Sequence, residues 1–160
     1  MSEILTVFNE DNGAGPRSTS EIGSQGEALA ADYLRAAGYR LVLANFKVPI
    51  GRNRNGAQIT GEIDIIGIDG DTLCFVEVKT RRSDSFASPT ANVDLRKQRQ
   101  ISRTARVYRR VFRIRDISYR YDVVSIVLRP DAAPKIELLK TFWTDGKFKK
   151  RQWKYDDPAY

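Results

Sequence analysis

The chain reads as an α/β protein, a mixed central sheet of about five strands flanked by helices. Three observations predict it. The apolar periodicities follow the order helix, three strands, helix, two strands, which suits one sheet covered on both faces. Asp69 and Gly70, a pair strongly preferred in two-residue hairpin turns, separate two runs rich in β-branched and aromatic residues. At 160 residues, 41% apolar and 29% charged, the chain can build one core and is too short for two comfortable domains.

Residues 1–18 include the polar, glycine-bearing stretch Asn9 to Ser18 and read as a flexible tail. From Thr19 or Ser20, both good helix caps, a helical pattern runs to Ala37 and stops at Gly38. Its apolar face is Ala30, Tyr33, Leu34 and Ala37, with Glu27 two turns before Leu34 at the edge of that face. Tyr39 to Val48 reads as a first strand. Pro49 to Thr60, rich in Gly, Asn and Arg, reads as a loop carrying Arg52 and Arg54. Strands Gly61 to Ile68 and Asp71 to Lys79 follow, joined by the Asp-Gly turn. Asn92 to about Phe112 is a long helix with Ile101, Ala105, Tyr108 and Phe112 on one face. Strands Tyr119 to Leu128 and Lys135 to Trp143 complete a domain spanning 19–144, and a basic, aromatic tail occupies 145–160.

Composition narrows the chemistry. With no histidine, the chain lacks a Ser-His or Cys-His couple and an imidazole-based zinc site; Cys74, its only cysteine, allows neither an intrachain disulfide nor a thiolate cluster. Hydrolysis would have to run on carboxylates, lysine and a hard metal ion. No apolar run approaches the eighteen or so residues that span a bilayer, and the start lacks signal-peptide order, so a cytoplasmic address without membrane contact is expected. The net charge of +7 is uneven: residues 1–95 hold 9 Lys and Arg against 13 Asp and Glu, and residues 96–160 hold 18 against 7. Such a split fits a polyanion held by one region and carboxylates gathered in another.

The turn gives a geometric test. If Asp69-Gly70 closes a two-residue hairpin, Ile68 faces Asp71, Asp64 faces Phe75 and Glu62 faces Glu77. Glu62, Asp64, Glu77 and Lys79 then share a face, with Asp64 and Glu77 diagonal neighbours about 7 to 8 Å apart at the backbone. Isoleucines surround Asp64, and Phe75, Val76 and Val78 surround Glu77, as in covered central strands. Carboxylates there are costly unless compensated, and Mg²⁺ or Mn²⁺ held by Asp64 and Glu77 would compensate them. Lys79, two residues beyond Glu77, can orient the attacking water and stabilise charge on phosphorus. The bland alternative is a Glu77–Lys79 ion pair at a strand end. Cys74 falls on the opposite face as a buried spectator.

Gly61-Glu62-Ile63-Asp64-Ile65-Ile66, followed by Phe75-Val76-Glu77-Val78-Lys79-Thr80-Arg81, resembles the signature of the YraN family, bacterial endonuclease-like proteins of the PD-(D/E)XK superfamily. Gly26-Glu27-Ala28-Leu29-Ala30 with Tyr33-Leu34 and Gly38-Tyr39 is similar to that family's first helix. Lys97, Ala105 and Tyr108 match its second helix, and Arg120-Tyr121-Asp122-Val123-Val124 its fourth strand. The resemblance covers about residues 23–143. It implies a restriction-endonuclease-like core similar to archaeal Holliday junction resolvases, a catalytic set of Glu27, Asp64, Glu77 and Lys79, and a dimer. The 49–60 loop and the tail after Asp145 depart from the family pattern.

Between Arg96 and Arg115 lie nine basic residues and no acid. An ordinary solvated helix would intersperse acids to relieve repulsion, so nucleic-acid binding is the better reading, with Arg81, Arg96, Lys97, Arg99, Arg103 and Arg106 as the contacts. Lys97, four residues before Ile101, is placed to turn towards the active face instead and touch the scissile phosphate. The expected activity is Mg²⁺-dependent hydrolysis of phosphodiester bonds in DNA that is branched, damaged or single-stranded. Two alternatives stay open: a nucleic-acid-binding module without turnover that uses the helix 92–113, and an interaction protein whose basic helix meets an acidic protein surface.

Overall fold

In the computed structural model, residues 18–82 and 93–148 are described; the tail before Ser18, the helix start at Asn92 and the basic tail beyond Phe148 lie outside them. Helix α1 spans Thr19–Ala36 and is capped by Ser18. The Ser18 hydroxyl accepts from the Glu21 N–H at 3.3 Å, and the Glu21 carboxylate accepts from the Ser18 N–H at 2.7 Å. Ser18 takes the cap ahead of Thr19 and Ser20 because it has an acid three residues on, which closes the reciprocal box. The buried face is Gly26, Ala30 and Leu34, while Tyr33 and Ala37, expected on it, are exposed. Gly26 fixes this rotation: a Cβ there would fall 1.7 Å from Thr80 Oγ1, so only the bare edge of the helix can lie against the sheet.

Five strands form one sheet in chain order: β1 Arg40–Arg52, β2 Gln58–Asp69, β3 Thr72–Arg82, β4 Tyr119–Arg129 and β5 Ala132–Trp143. Neighbours are antiparallel except β3 and β4, which are parallel and joined by helix α2, Leu95–Val111. A parallel pair needs such a crossover. The expected 49–60 loop is mostly strand. Its Gly, Asn and Arg content reads as a turn, yet its two halves pair with each other as far as Arg52↔Gln58. Pro49 is tolerated because β1 is an edge strand, where a missing N–H costs little.

The sheet divides two apolar layers. On the α2 side Ile63, Ile66, Phe75, Ile101, Ala105, Tyr108 and Val123 are buried, with Tyr121 stacked on Trp143 at 4.8 Å. Phe112, expected on this face, is the C-cap residue of α2, 54% exposed and leaning on the Tyr108 ring. On the α1 side Ala30, Leu34, Tyr39, Ile65, Cys74, Val76, Val124 and Ile126 form the second layer. Burial pushes the Cys74 thiol up to about 12, which leaves it inert.

One polar knot sits in the α1-side layer. Asp122 is fully buried and accepts from Arg120 Nε at 3.0 Å, the Tyr39 hydroxyl at 3.0 Å and the Thr141 N–H at 2.9 Å. Arg120 also donates to Asp69 and the Tyr39 oxygen, tying β4 to the end of β2. Every partner is satisfied by another, so removing one strands the rest. Asp122→Ala leaves Arg120 without its buried counter-charge and is expected to cost about 3 to 5 kcal/mol of stability; urea unfolding of the variant beside the parent chain measures it.

Candidate active site

The β2–β3 hairpin closes one residue later than Asp69-Gly70 suggests. Asp69 pairs with Thr72 and the turn residues are Gly70 and Asp71, with Gly70 at φ 60°. Glycine at the first central position suits a type II′ turn, which matches the strand twist. Ile66 therefore faces Phe75, where Asp64 was expected. The pairing moves by two residues in total, which leaves the parity of the register unchanged. Continuing the register sets Asp64 opposite Glu77.

The ladder stops just there. Ile65↔Val76 is its last pair, and at the next position Asp64 Oδ2 accepts the Val78 N–H at 2.8 Å. Ile63 and Ile65, two residues apart, enter opposite apolar layers, and Asn45 on the neighbouring edge strand has φ 52°. Side-chain alternation thus breaks at Asp64. Glu62, expected on the same face as the other acids, pairs with Lys47 at 3.3 Å instead.

Glu77 is 3% exposed and held by two ammonium groups: Lys79 Nζ at 3.3 Å from Oε1 and Lys97 Nζ at 3.5 Å from Oε2. The second contact is an ion pair only, and among the described residues Oε2 has no hydrogen-bond partner. Burial, then the charge of Glu77, raises the Asp64 carboxyl to about 7; the Val78 N–H and Lys97 act against that rise. Two carboxylates side by side, one with an oxygen left over, are a hard-oxygen donor set that suits Mg²⁺ or Mn²⁺, ions that keep several waters. Glu27 does not join them as a ligand: among the described residues no three acids stand close enough to hold a metal. It lines, with Asp64, Ser24 and Asn45, a cavity of about 580 Å³ between α1 and the sheet.

The basic residues divide by role. Lys97 turns inward, to Glu77. Arg96, Arg99, Arg103 and Arg106 are exposed along α2, while Arg81 is half-buried at the end of β3. Arg99 lies over the Phe148 ring at 5.6 Å and Arg103 donates to the Ile50 carbonyl. Arg109 packs over Tyr119 at 3.8 Å and belongs to the scaffold. One residue was missed from the sequence. Ser125, paired with Lys79 across β3 and β4, is 2% exposed with a hydroxyl that has no hydrogen-bond partner among the described residues. Only the parallel register reveals it, since Ser125 sits in an unremarkable apolar strand.

A carboxyl raised in the folded state adds stability below its unfolded value, 3.8, and that contribution disappears as pH rises through about 7. In EDTA the melting temperature should therefore fall between pH 4 and pH 8, and Asp64→Asn should flatten the fall; thermal melts across that range test both.

A family model described as "Uncharacterised protein family UPF0102" matches residues 26–126. A UPF0102 protein of Geotalea uraniireducens is 42% identical over 119 residues, 74% of this chain and 86% of that protein. Another, from Chlorobium chlorochromatii, is 44% identical over 111 residues, 69% of this chain and 78% of that protein. Among solved structures, the crystal structure of SSO0001 is similar over 87% of this chain and 62% of that one, less than two thirds of its length, at 14% identity and a TM-score of 0.40. On the sequence matches, which take in the Asp64, Glu77 and Lys79 segments, the chain belongs to the uncharacterised protein family UPF0102, the YraN family.

Proposed function

We propose that this protein is a divalent-cation-dependent endonuclease that hydrolyses phosphodiester bonds in DNA. The observation that carries the reading is the pair of carboxylates, half-buried Asp64 and buried Glu77, with Lys79 and Lys97 beside Glu77 and exposed arginines along α2. A structural ion pair would need one acid and one base. Two acids that repel each other, with an oxygen left over, are better explained by an ion they are built to receive.

Asp64 and Glu77 would hold Mg²⁺ or Mn²⁺, which when bound polarises the phosphate and makes its water a stronger nucleophile. Lys79 and Lys97, the ammonium groups beside Glu77, would face the phosphate oxygens. Lys79 orients the water whose oxygen bonds to phosphorus, and the ammonium groups stabilise the negative charge that grows as the ester P–O bond breaks. The departing oxygen leaves with a proton drawn from solvent or a lysine. Arg96, Arg99 and Arg106 hold the phosphate backbone in place without reading sequence.

Glu27 standing outside the acid pair favours one competing reading, a binding module without turnover. Flap, junction, single-stranded and duplex DNA incubated with Mg²⁺, Mn²⁺ or EDTA separate the two. Cleavage is expected only with the cations and should drop by about 10²-fold or more in Asp64→Asn and in Lys79→Ala. Cleavage that survives both substitutions sinks the site; tight binding with no cleavage of any substrate supports the module. Millimolar Mn²⁺ should also raise the melting temperature of the parent chain at pH 8 and leave that of Asp64→Asn unmoved, because only a folded, charged pair binds the ion.

A further inference from the structure

Beyond Ile65↔Val76, β2 no longer pairs with β3, and among the described residues 58–63 pair only with β1. The result is a two-stranded ribbon that leaves the sheet beside the acids. Helix α2 clamps it: Gln100 donates to the Thr60 carbonyl at 3.0 Å and Arg103 to the Ile50 carbonyl at 2.6 Å. Glycines mark both crossing points, since a Cβ on Gly61 would fall 2.0 Å from Thr104 Oγ1 and one on Gly51 2.7 Å from Arg103 Nη2. Past the clamp, residues 51–58 are exposed throughout.

The tip is ordered by its own hydrogen bonds. Asn53 Oδ1 accepts the N–H groups of Asn55 at 3.0 Å and Ala57 at 2.9 Å, and Arg52 donates to the Gly56 carbonyl at 2.7 Å. A ribbon held this way loses little freedom on binding, which is an advantage for a docking element. It also stands near the chemistry. The helix that clamps it at Arg103 delivers Lys97 to Glu77, six residues away and so about 9 Å along the helix axis.

The tip's composition selects the partner. Residues 51–57 (Gly-Arg-Asn-Arg-Asn-Gly-Ala) contain no acid and no aromatic ring. Without rings it has no platform on which unpaired bases could stack. A two-stranded ribbon fits the major groove of B-form DNA, about 12 Å wide, where Arg pairs with guanine O6 and N7 and Asn with adenine N6 and N7. The major groove of A-form RNA is too narrow to admit it. We propose that the 49–60 ribbon enters the major groove of a DNA duplex adjoining the phosphodiester at the acid pair, with Arg54 and Asn55 reaching the base edges. This rests on the nuclease reading and names its substrate: DNA with a double-stranded arm next to the cleaved bond.

The test is binding in EDTA, where nothing is cut, of duplex DNA, duplex RNA and single-stranded DNA to the parent chain, to Arg54→Ala/Asn55→Ala and to Arg96→Ala/Arg99→Ala. The ribbon variant should lose roughly ten-fold in affinity for duplex DNA, keep its single-strand affinity and melt like the parent. Methylation of guanine N7, a major-groove mark, should weaken the parent and have no effect on the ribbon variant. Duplex affinity unchanged in the ribbon variant while the α2 variant weakens overturns the ribbon's role and leaves the nuclease reading standing. Equal loss on single strands overturns the groove assignment. A parent chain that binds no nucleic acid at low salt overturns both.

Discussion

The hydrogen bond from the Val78 N–H to the Asp64 carboxylate is the contact on which the site depends. It replaces a ladder bond at the point where β2 and β3 separate, so the backbone donor is satisfied although the partner strand has left. The separation has two consequences. It opens the sheet enough for Asp64 and Glu77 to approach from adjacent strands, and it releases the end of β2 to run with β1 alone. The chemistry and the ribbon are both products of one interrupted pairing.

Charge is distributed to keep that opening folded. Glu77 sits inside an apolar layer, where a lone carboxylate would be prohibitively costly, and Lys79 and Lys97 offset it from two different elements. At Asp64 burial and the charge of Glu77 outweigh Lys97 and the Val78 N–H, so it holds its proton more tightly. The site thus carries unfavourable electrostatics that a bound cation would relieve. Such strain is common where function and stability compete. The polar knot at the other end of β4 works in the opposite sense: Asp122, Arg120, Asp69 and Tyr39 satisfy one another completely and lock the strands in place.

Helix α2 joins these roles through its faces. Its apolar stripe, Ile101, Ala105 and Tyr108, fills the core. Lys97 reaches the acids, Gln100 and Arg103 hold the ribbon, and Arg96, Arg99, Arg106 and Arg110 are exposed. The run without acids therefore does not mean one uniform phosphate-binding surface. Arg109, packed on Tyr119, and Lys97, turned inward, carry the same charge as their neighbours and do different work.

How much was legible depends on how local each determinant is. Periodicity located all five strands and both helices, because a period of two is a property of the strand itself. The same parity absorbed a turn displaced by one residue. The cap at Ser18 required comparing three adjacent candidates with the acid at Glu21, and the exposure of Tyr33 and Phe112 depended on helix rotation, which Gly26 and the end of α2 decide against the sheet. The 49–60 segment was read as a loop because glycine, asparagine and arginine favour turns, while its strands are stabilised by each other and by α2, contacts 40 or more residues apart. By itself the sequence determined the element order, the acids and the basic helix, since these follow from residue type and spacing along the chain. Only the tertiary structure decided that β2 and β3 part at Asp64, that Glu27 stands at the cavity wall and that Lys97 faces inward, because each depends on which distant backbone comes close enough to accept or refuse a side chain.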